Sequence, residues 1–113
     1  MIDRKLLLKK LIRFDDPVET MPQLLRPFGW DSDTILVILR REDIIFVLDR
    51  YLQSGLSALD VEQWANAIEG REDIGYEAGY GSSISATIHT LANPFLTTPL
   101  NIQTAKELIG QLK

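Results

Sequence analysis

The chain has 113 residues, 45% of them hydrophobic and 25% charged, with a formal net charge of −4 and no cysteine. Those totals describe a single globular domain over 1–113 with apolar residues enough for a core, and they exclude disulfides, thiolate catalysis and cysteine-ligated metal centres. No uninterrupted apolar run exceeds Ile35–Leu39, against the roughly 20 residues of a membrane span; Lys9 and Lys10 interrupt the apolar part of the N-terminal stretch, so no secretory signal, no membrane association and a cytoplasmic location are expected.

Residues 3–14 carry the first pattern. Leu7, Leu8, Leu11 and Ile12 share one side of a helix and Lys5, Lys9, Lys10 and Arg13 surround them, which reads as an amphipathic helix with its leucines inside and its cations wet. The alternative, a basic helix for anionic lipid or RNA, uses the same residues. Asp15-Asp16-Pro17 ends the helix, because the residue before a proline is pushed out of the helical region. Residues 18–33 hold Pro22, Pro27 and Gly29 and read as a loop with a short helical turn near Gln23–Arg26. At 34–39, TILVIL is rich in β-branched residues and reads as a short strand. No convincing second strand accompanies it, so a helix start capped by Ser32 or Asp33 is the other reading.

From Glu42 onward Ile44, Ile45, Val47, Leu48, Tyr51 and Leu52 recur at helical spacing up to Ser54-Gly55. Ser57 with Asp60 predicts a capped helix start. Val61, Trp64, Ala65 and Ile68 form its buried stripe, and Gly70 closes it in the left-handed conformation. Residues 71–82 show no periodicity and are expected to be a loop. Ser82 or Ser83 is expected to cap a helix that buries Ile84, Ile88 and Leu91 up to Asn93-Pro94. After a second proline-containing loop, Asn101 caps a last helix with Ile102, Ala105, Leu108, Ile109 and Leu112 inside. The sum is an all-α fold, an irregular bundle of about five helices with one short strand at most.

Charge is unevenly spread. Residues 1–13 carry +4, and residues 57–80 hold six carboxylates against Arg71 alone. An acidic body repels phosphate backbones, so nucleic acid is not an expected ligand, whereas a basic protein is an attractive one. Metal chemistry finds little support. DSDTILVILRRE places Asp31, Asp33 and Glu42 at positions 1, 3 and 12 of a calcium loop, but Leu36 stands where that loop needs glycine for its sharp turn. GYGSSI before a helix start suggests an anion turn, but it lacks a lysine and a preceding strand. Neither a metal nor any other cofactor is expected. Ser85 and the single histidine, His89, stand four apart on one helix, and hydrolysis through them would need an orienting carboxylate from elsewhere in the fold.

Between 62 and 77 the sequence EQWANAIEGREDIGYE makes a denser proposal. Trp64 belongs with the apolar stripe, while Glu62, Asn66 and Glu69 lie at i, i+4 and i+7 and form a ridge beside it. Glu72, Asp73, Tyr76, Glu77 and Tyr80 prolong the ridge past Gly70. One reading is a solvated helix flank and loop, with Arg71 pairing locally at the surface. The other is a docking face for a cationic protein partner, with the tyrosines as anchors.

EQWAN at Glu62–Asn66, REDI at Arg71–Ile74 and LANP at Leu91–Pro94 resemble segments shared by a group of small uncharacterised bacterial helical proteins. The likeness covers the last two thirds of the chain. Small acidic helical proteins of this kind are similar in size, charge and composition to the immunity proteins encoded beside bacterial toxins, including those of contact-dependent growth inhibition. What that similarity implies is a non-enzymatic inhibitor, filling the basic cleft of a nuclease-type toxin with an acidic surface. A regulatory or adaptor protein with another partner, and a small hydrolase using carboxylates and His89, are the alternatives.

Overall fold

A computed structural model describes residues 4–14 and 34–113 of the chain. Five helices and two strands follow one another in these segments: α1 (Arg4–Arg13), β1 (Val37–Leu39), α2 (Arg41–Leu52), α3 (Ala58–Ile68), β2 (Ile74–Tyr76), α4 (Gly81–Ala92) and α5 (Ile102–Leu112). The fold is predominantly α, as expected. The expected loop over 18–33, its helical turn near Gln23–Arg26, the proline stop after α1 and two of the three calcium-loop carboxylates lie outside the described residues.

Each helix buries the stripe its periodicity defines. Leu7, Leu8, Leu11 and Ile12 of α1 are buried, as are Val61, Trp64, Ala65 and Ile68 of α3 and Ile84, Ile88 and Leu91 of α4. In α2, Ile44, Val47 and Leu48 are fully enclosed, while Ile45, Tyr51 and Leu52 are half-buried against them. The exception is Ile102, 60% exposed at the first turn of α5, where only the later residues Ala105, Leu108, Ile109 and Leu112 reach the core. Helix α3 packs most extensively on α4, and α2 on α5, with α1 laid against α2, α3 and β1.

Local chemistry fixes the helix ends. Ser57 Oγ accepts from the Asp60 amide at 3.0 Å, and the Asp60 carboxylate accepts from the Ser57 amide at 2.9 Å, a reciprocal capping box. Gly70 follows α3 with φ +85°, a conformation costly for a side-chain-bearing residue. Asn101 Oδ1 caps α5 by accepting from the Thr104 amide at 2.9 Å. The expected serine cap of α4 is replaced. That helix starts earlier, at Gly81, and its N-cap is Tyr80, two residues before Ser82 and three before Ser83, with a side chain that makes no capping bond.

The single strand read at 34–39 finds its partner where a loop was expected. β1 and β2 pair in parallel with Val37 opposite Ile74, Ile38 opposite Gly75 and Leu39 opposite Tyr76. The Asp73 carbonyl accepts from the Leu36 amide at 2.8 Å, and the Leu39 carbonyl from the Glu77 amide at 3.0 Å, extending the pairing at both ends. Gly75 lets Ile35 close over β2. A Cβ at that position would lie 2.9 Å from Ile35 Cγ2.

Helix α1 is held at its C-terminal end, which places its cations around a docked core helix. Trp64 Nε1 donates to the Leu11 carbonyl at 2.7 Å across 53 residues of sequence. Phe14 leaves the helix at φ 58°, and Arg50 of α2 donates to its carbonyl at 3.0 Å and to that of Arg13 at 3.4 Å. A cation on the last carbonyls of a helix also suits its dipole. Trp64→Phe removes the indole donor and part of the volume that seats α1. It should cost about 2 kcal/mol in chemical denaturation, with amide exchange in 4–14 accelerated more than in α5.

Candidate functional site

The predicted acidic ridge divides in two where α3 ends. Its first half stays on one face of the helix: Glu62 is half-buried at the margin of a groove, Asn66 is exposed, and Glu69 terminates the helix. Past Gly70 the backbone becomes extended and enters the sheet. Strand geometry turns alternate side chains to opposite sides, so the second half does not continue the ridge.

Asp73 is the main correction to the ridge. It is 0% exposed and has no surface to offer a partner. Its Oδ1 accepts from Arg71 Nε at 2.9 Å and its Oδ2 from the Arg71 terminal nitrogen at 3.0 Å, a two-pronged contact. Arg4, from the first turn of α1, donates to Oδ2 from Nε at 2.9 Å and places a second nitrogen 2.8 Å away. Arg71 is itself buried, so the expected weak surface pair is an interior one. Burial works to raise the Asp73 carboxyl. The bonds from Arg71 and then Arg4, with their charges, outweigh it and hold the group below its ordinary 3.8.

The remaining members have partners of their own. Glu77 accepts at Oε1 from both the Arg41 backbone amide and Arg41 Nε, each at 3.1 Å, so its carboxylate sits at the positive end of α2. Those two bonds, the side-chain one first, depress its pKa. The Arg41 guanidinium carbon lies 3.4 Å from the centre of the Tyr80 ring, a cation–π contact, and its terminal nitrogen reaches the Leu112 carbonyl at 3.4 Å. Tyr76 is half-buried against the core, and burial, followed by the charge of Glu69, pushes its hydroxyl pKa up. Glu72 is exposed. Glu69 Oε2 lies 2.8 Å from His89 Nδ1, and Asn93 Nδ2 donates to Glu69 Oε1 at 3.2 Å. Glu69 is thus the orienting carboxylate that a His89 chemistry would require, although His89 is more than half exposed and the trio chiefly ties the end of α3 to α4.

What adjoins the first half of the ridge is apolar and carries no periodic signal in the sequence. Phe95 and Leu96, in the loop between α4 and α5, are 98% and 79% exposed, and Leu59 on α3 is 58% exposed. A groove of about 230 Å³ runs between them, lined by Ala58, Leu59, Glu62, Thr90, Leu91, Pro94, Phe95, Thr98, Pro99 and Leu100. The loop is tied down. The Asn93 carbonyl accepts from the amides of Leu96 and Thr97, both at 3.0 Å, and Thr97 Oγ1 donates to the Asn93 carbonyl at 2.8 Å and to that of Thr90 at 3.0 Å. Pro94 and Pro99 bound it. Acidic helix face and apolar loop therefore meet at Glu62.

No helix among the described residues is long and apolar enough to cross a membrane. Comparison with known proteins finds no match: no family model, no curated protein and no solved structure.

The Asp73 cluster predicts two outcomes. Asp73→Ala leaves two arginines facing a buried position and should cost about 3–5 kcal/mol in urea unfolding, far above a surface pair. Because the folded carboxyl titrates below the unfolded one, its stabilisation is complete above the unfolded value and disappears as pH falls through the folded one. The wild-type urea midpoint should therefore be insensitive to this group at neutral pH and fall as pH drops below about 4.

Proposed function

We propose that this chain is a protein-binding module that docks on a basic protein partner and neutralises it, in the manner of an immunity protein against a nuclease-type bacterial toxin. The observation that carries this reading is the pairing of an outward acidic helix face with two large apolar side chains held in solvent by a hydrogen-bonded loop. Contiguous exposed apolar surface rimmed by polar groups is characteristic of interaction sites, and an ordered loop pays little conformational entropy on binding.

The division of labour follows from the geometry. Glu62, half-buried on α3, and Glu69, partly exposed at its C-cap, would with the acidic body attract a cationic partner and speed encounter. Phe95, Leu96 and Leu59 supply the area whose desolvation gives residence time. Asp73 and Glu77 have structural tasks, and Tyr76 packs on the core, so these three are withdrawn from the contact surface proposed here. A regulatory adaptor would use the same surface and differ in the identity of its partner.

Affinity capture from the source cell, with mass spectrometry of the bound fraction, tests the reading. Wild type should retain a basic protein and inhibit its activity, and Glu62→Lys/Glu69→Lys should lose that protein while still unfolding cooperatively, at a temperature lowered by loss of the Glu69 contacts to His89 and Asn93. Equal capture by both chains, or retention of neutral and acidic proteins alone, would refute it.

A further inference from the structure

We propose that the groove between α3 and the α4–α5 loop seats one large apolar side chain of a cationic amphipathic segment, with a lysine or arginine of the same segment against Glu62. The inference rests on the protein-binding reading above and gives its occupant a chemistry. The groove is walled by Leu59, Leu91, Pro94, Phe95 and Leu100, and Glu62 is the single charged side chain in its wall. An apolar slot with a carboxylate at its margin selects an apolar side chain and a cation three or four residues apart on one helical segment, where neighbouring side chains share a face. An acidic segment with the same apolar side chain would meet like charge at Glu62 and be rejected.

Two other occupants fit the surface less well. The one cationic amphipathic helix among the described residues of this chain is α1, and its leucine stripe is already enclosed by its own core, with Trp64 and Arg50 holding its end. The described residues of a second copy therefore offer no such segment without unfolding. Anionic headgroups would be repelled by the same carboxylate that favours a basic peptide.

The test uses the intact chain, labelled with ¹⁵N, and a synthetic helical peptide carrying a leucine stripe flanked by lysines. The amide resonances of Leu59, Glu62, Leu91 and Phe95 should shift and saturate. A peptide with serine in place of the leucines should not bind, and one with glutamate in place of the lysines should bind at least about tenfold more weakly. Glu62→Gln should weaken the lysine peptide by about the same factor, and Leu59→Asp, at an exposed position that leaves the fold intact, should abolish it. Scattered shifts without saturation, equal binding of the serine peptide, or a Leu59→Asp chain that binds normally would each overturn the inference. So would sedimentation showing a dimer that Leu59→Asp dissolves, which would assign the groove to a second copy, or binding to phosphatidylcholine vesicles, which would assign it to lipid. The two readings fail separately. Partner capture lost on charge reversal but kept by Leu59→Asp removes the groove occupant and leaves the function. Saturable peptide binding at the groove, with capture of the cellular partner indifferent to Glu62→Lys/Glu69→Lys, does the opposite.

Discussion

A carboxylate with no access to solvent, receiving N–H groups from two arginines, holds this fold in register. Asp73 draws Arg71 from two residues before it and Arg4 from 69 residues away, the latter in the first turn of α1. A buried ion cluster of this kind contributes little net stability relative to apolar packing, since desolvation offsets most of the attraction, but it is intolerant of losing one partner. It favours arrangements in which α1 lies across the entry to β2. The Asp73 carbonyl, meanwhile, accepts from Leu36 and fixes where β1 begins. One residue thus orients a helix through its side chain and a strand through its backbone.

Placement of α1 has consequences for charge. Its lysines and arginines are the largest block of positive charge in the chain, and the packed stripe beneath them keeps that block on the side of α1 and β1, with Arg4 turned inward to Asp73. The acidic face of α3 and the groove beside it belong to other elements, α3 and the α4–α5 loop. The buried leucine stripe, more than attraction between surface charges, decides which way α1 faces.

The helices were legible in the sequence because their apolar residues repeat at a spacing that ten or more residues make unmistakable, and because Ser57, Gly70 and Asn101 mark ends by chemistry that works locally. The β-branched run at 34–39 pointed to β1, but β2 was not legible. Three residues cannot display an alternation, and the bonds that make β2 a strand come from residues 37 positions earlier. Arg71 and Asp73 carried a readable hint, two opposite charges at i and i+2 just ahead of the apolar Ile74, which strand geometry places on one side. Without a recognised strand there was no side to place them on, and the charges were assigned to solvent. Phe95 and Leu96 were missed for the opposite reason. NPFLTTP was read as punctuation between helices, although two adjacent large apolar residues between prolines, with no periodic companions to bury them, form an exposed pair unless some other element covers them. In the segments EQWAN, REDI and LANP, the residues Trp64, Arg71, Asp73, Leu91 and Asn93 all hold the fold together.

Counting carboxylates therefore overstates the field this surface presents. Of the six between 57 and 80, Asp60 caps its own helix, Glu69 binds His89 and Asn93, Asp73 is interior and Glu77 is engaged with Arg41. Each arginine recruited inward cancels a charge the sequence seemed to offer outward. What remains is enough to bias the approach of a basic partner over a Debye length of about 8 Å at physiological salt, but steering of that kind raises on-rates more than it retains a bound partner. Retention would have to come from dehydrated apolar contact, and the two most exposed large apolar side chains among the described residues, Phe95 and Leu96, stand beside Leu59 and Glu62 at the groove. Negative charge in the interior sets the position of a helix. In the proposed binding reading, charge at the surface would select what approaches, and residues that carry no charge would hold it.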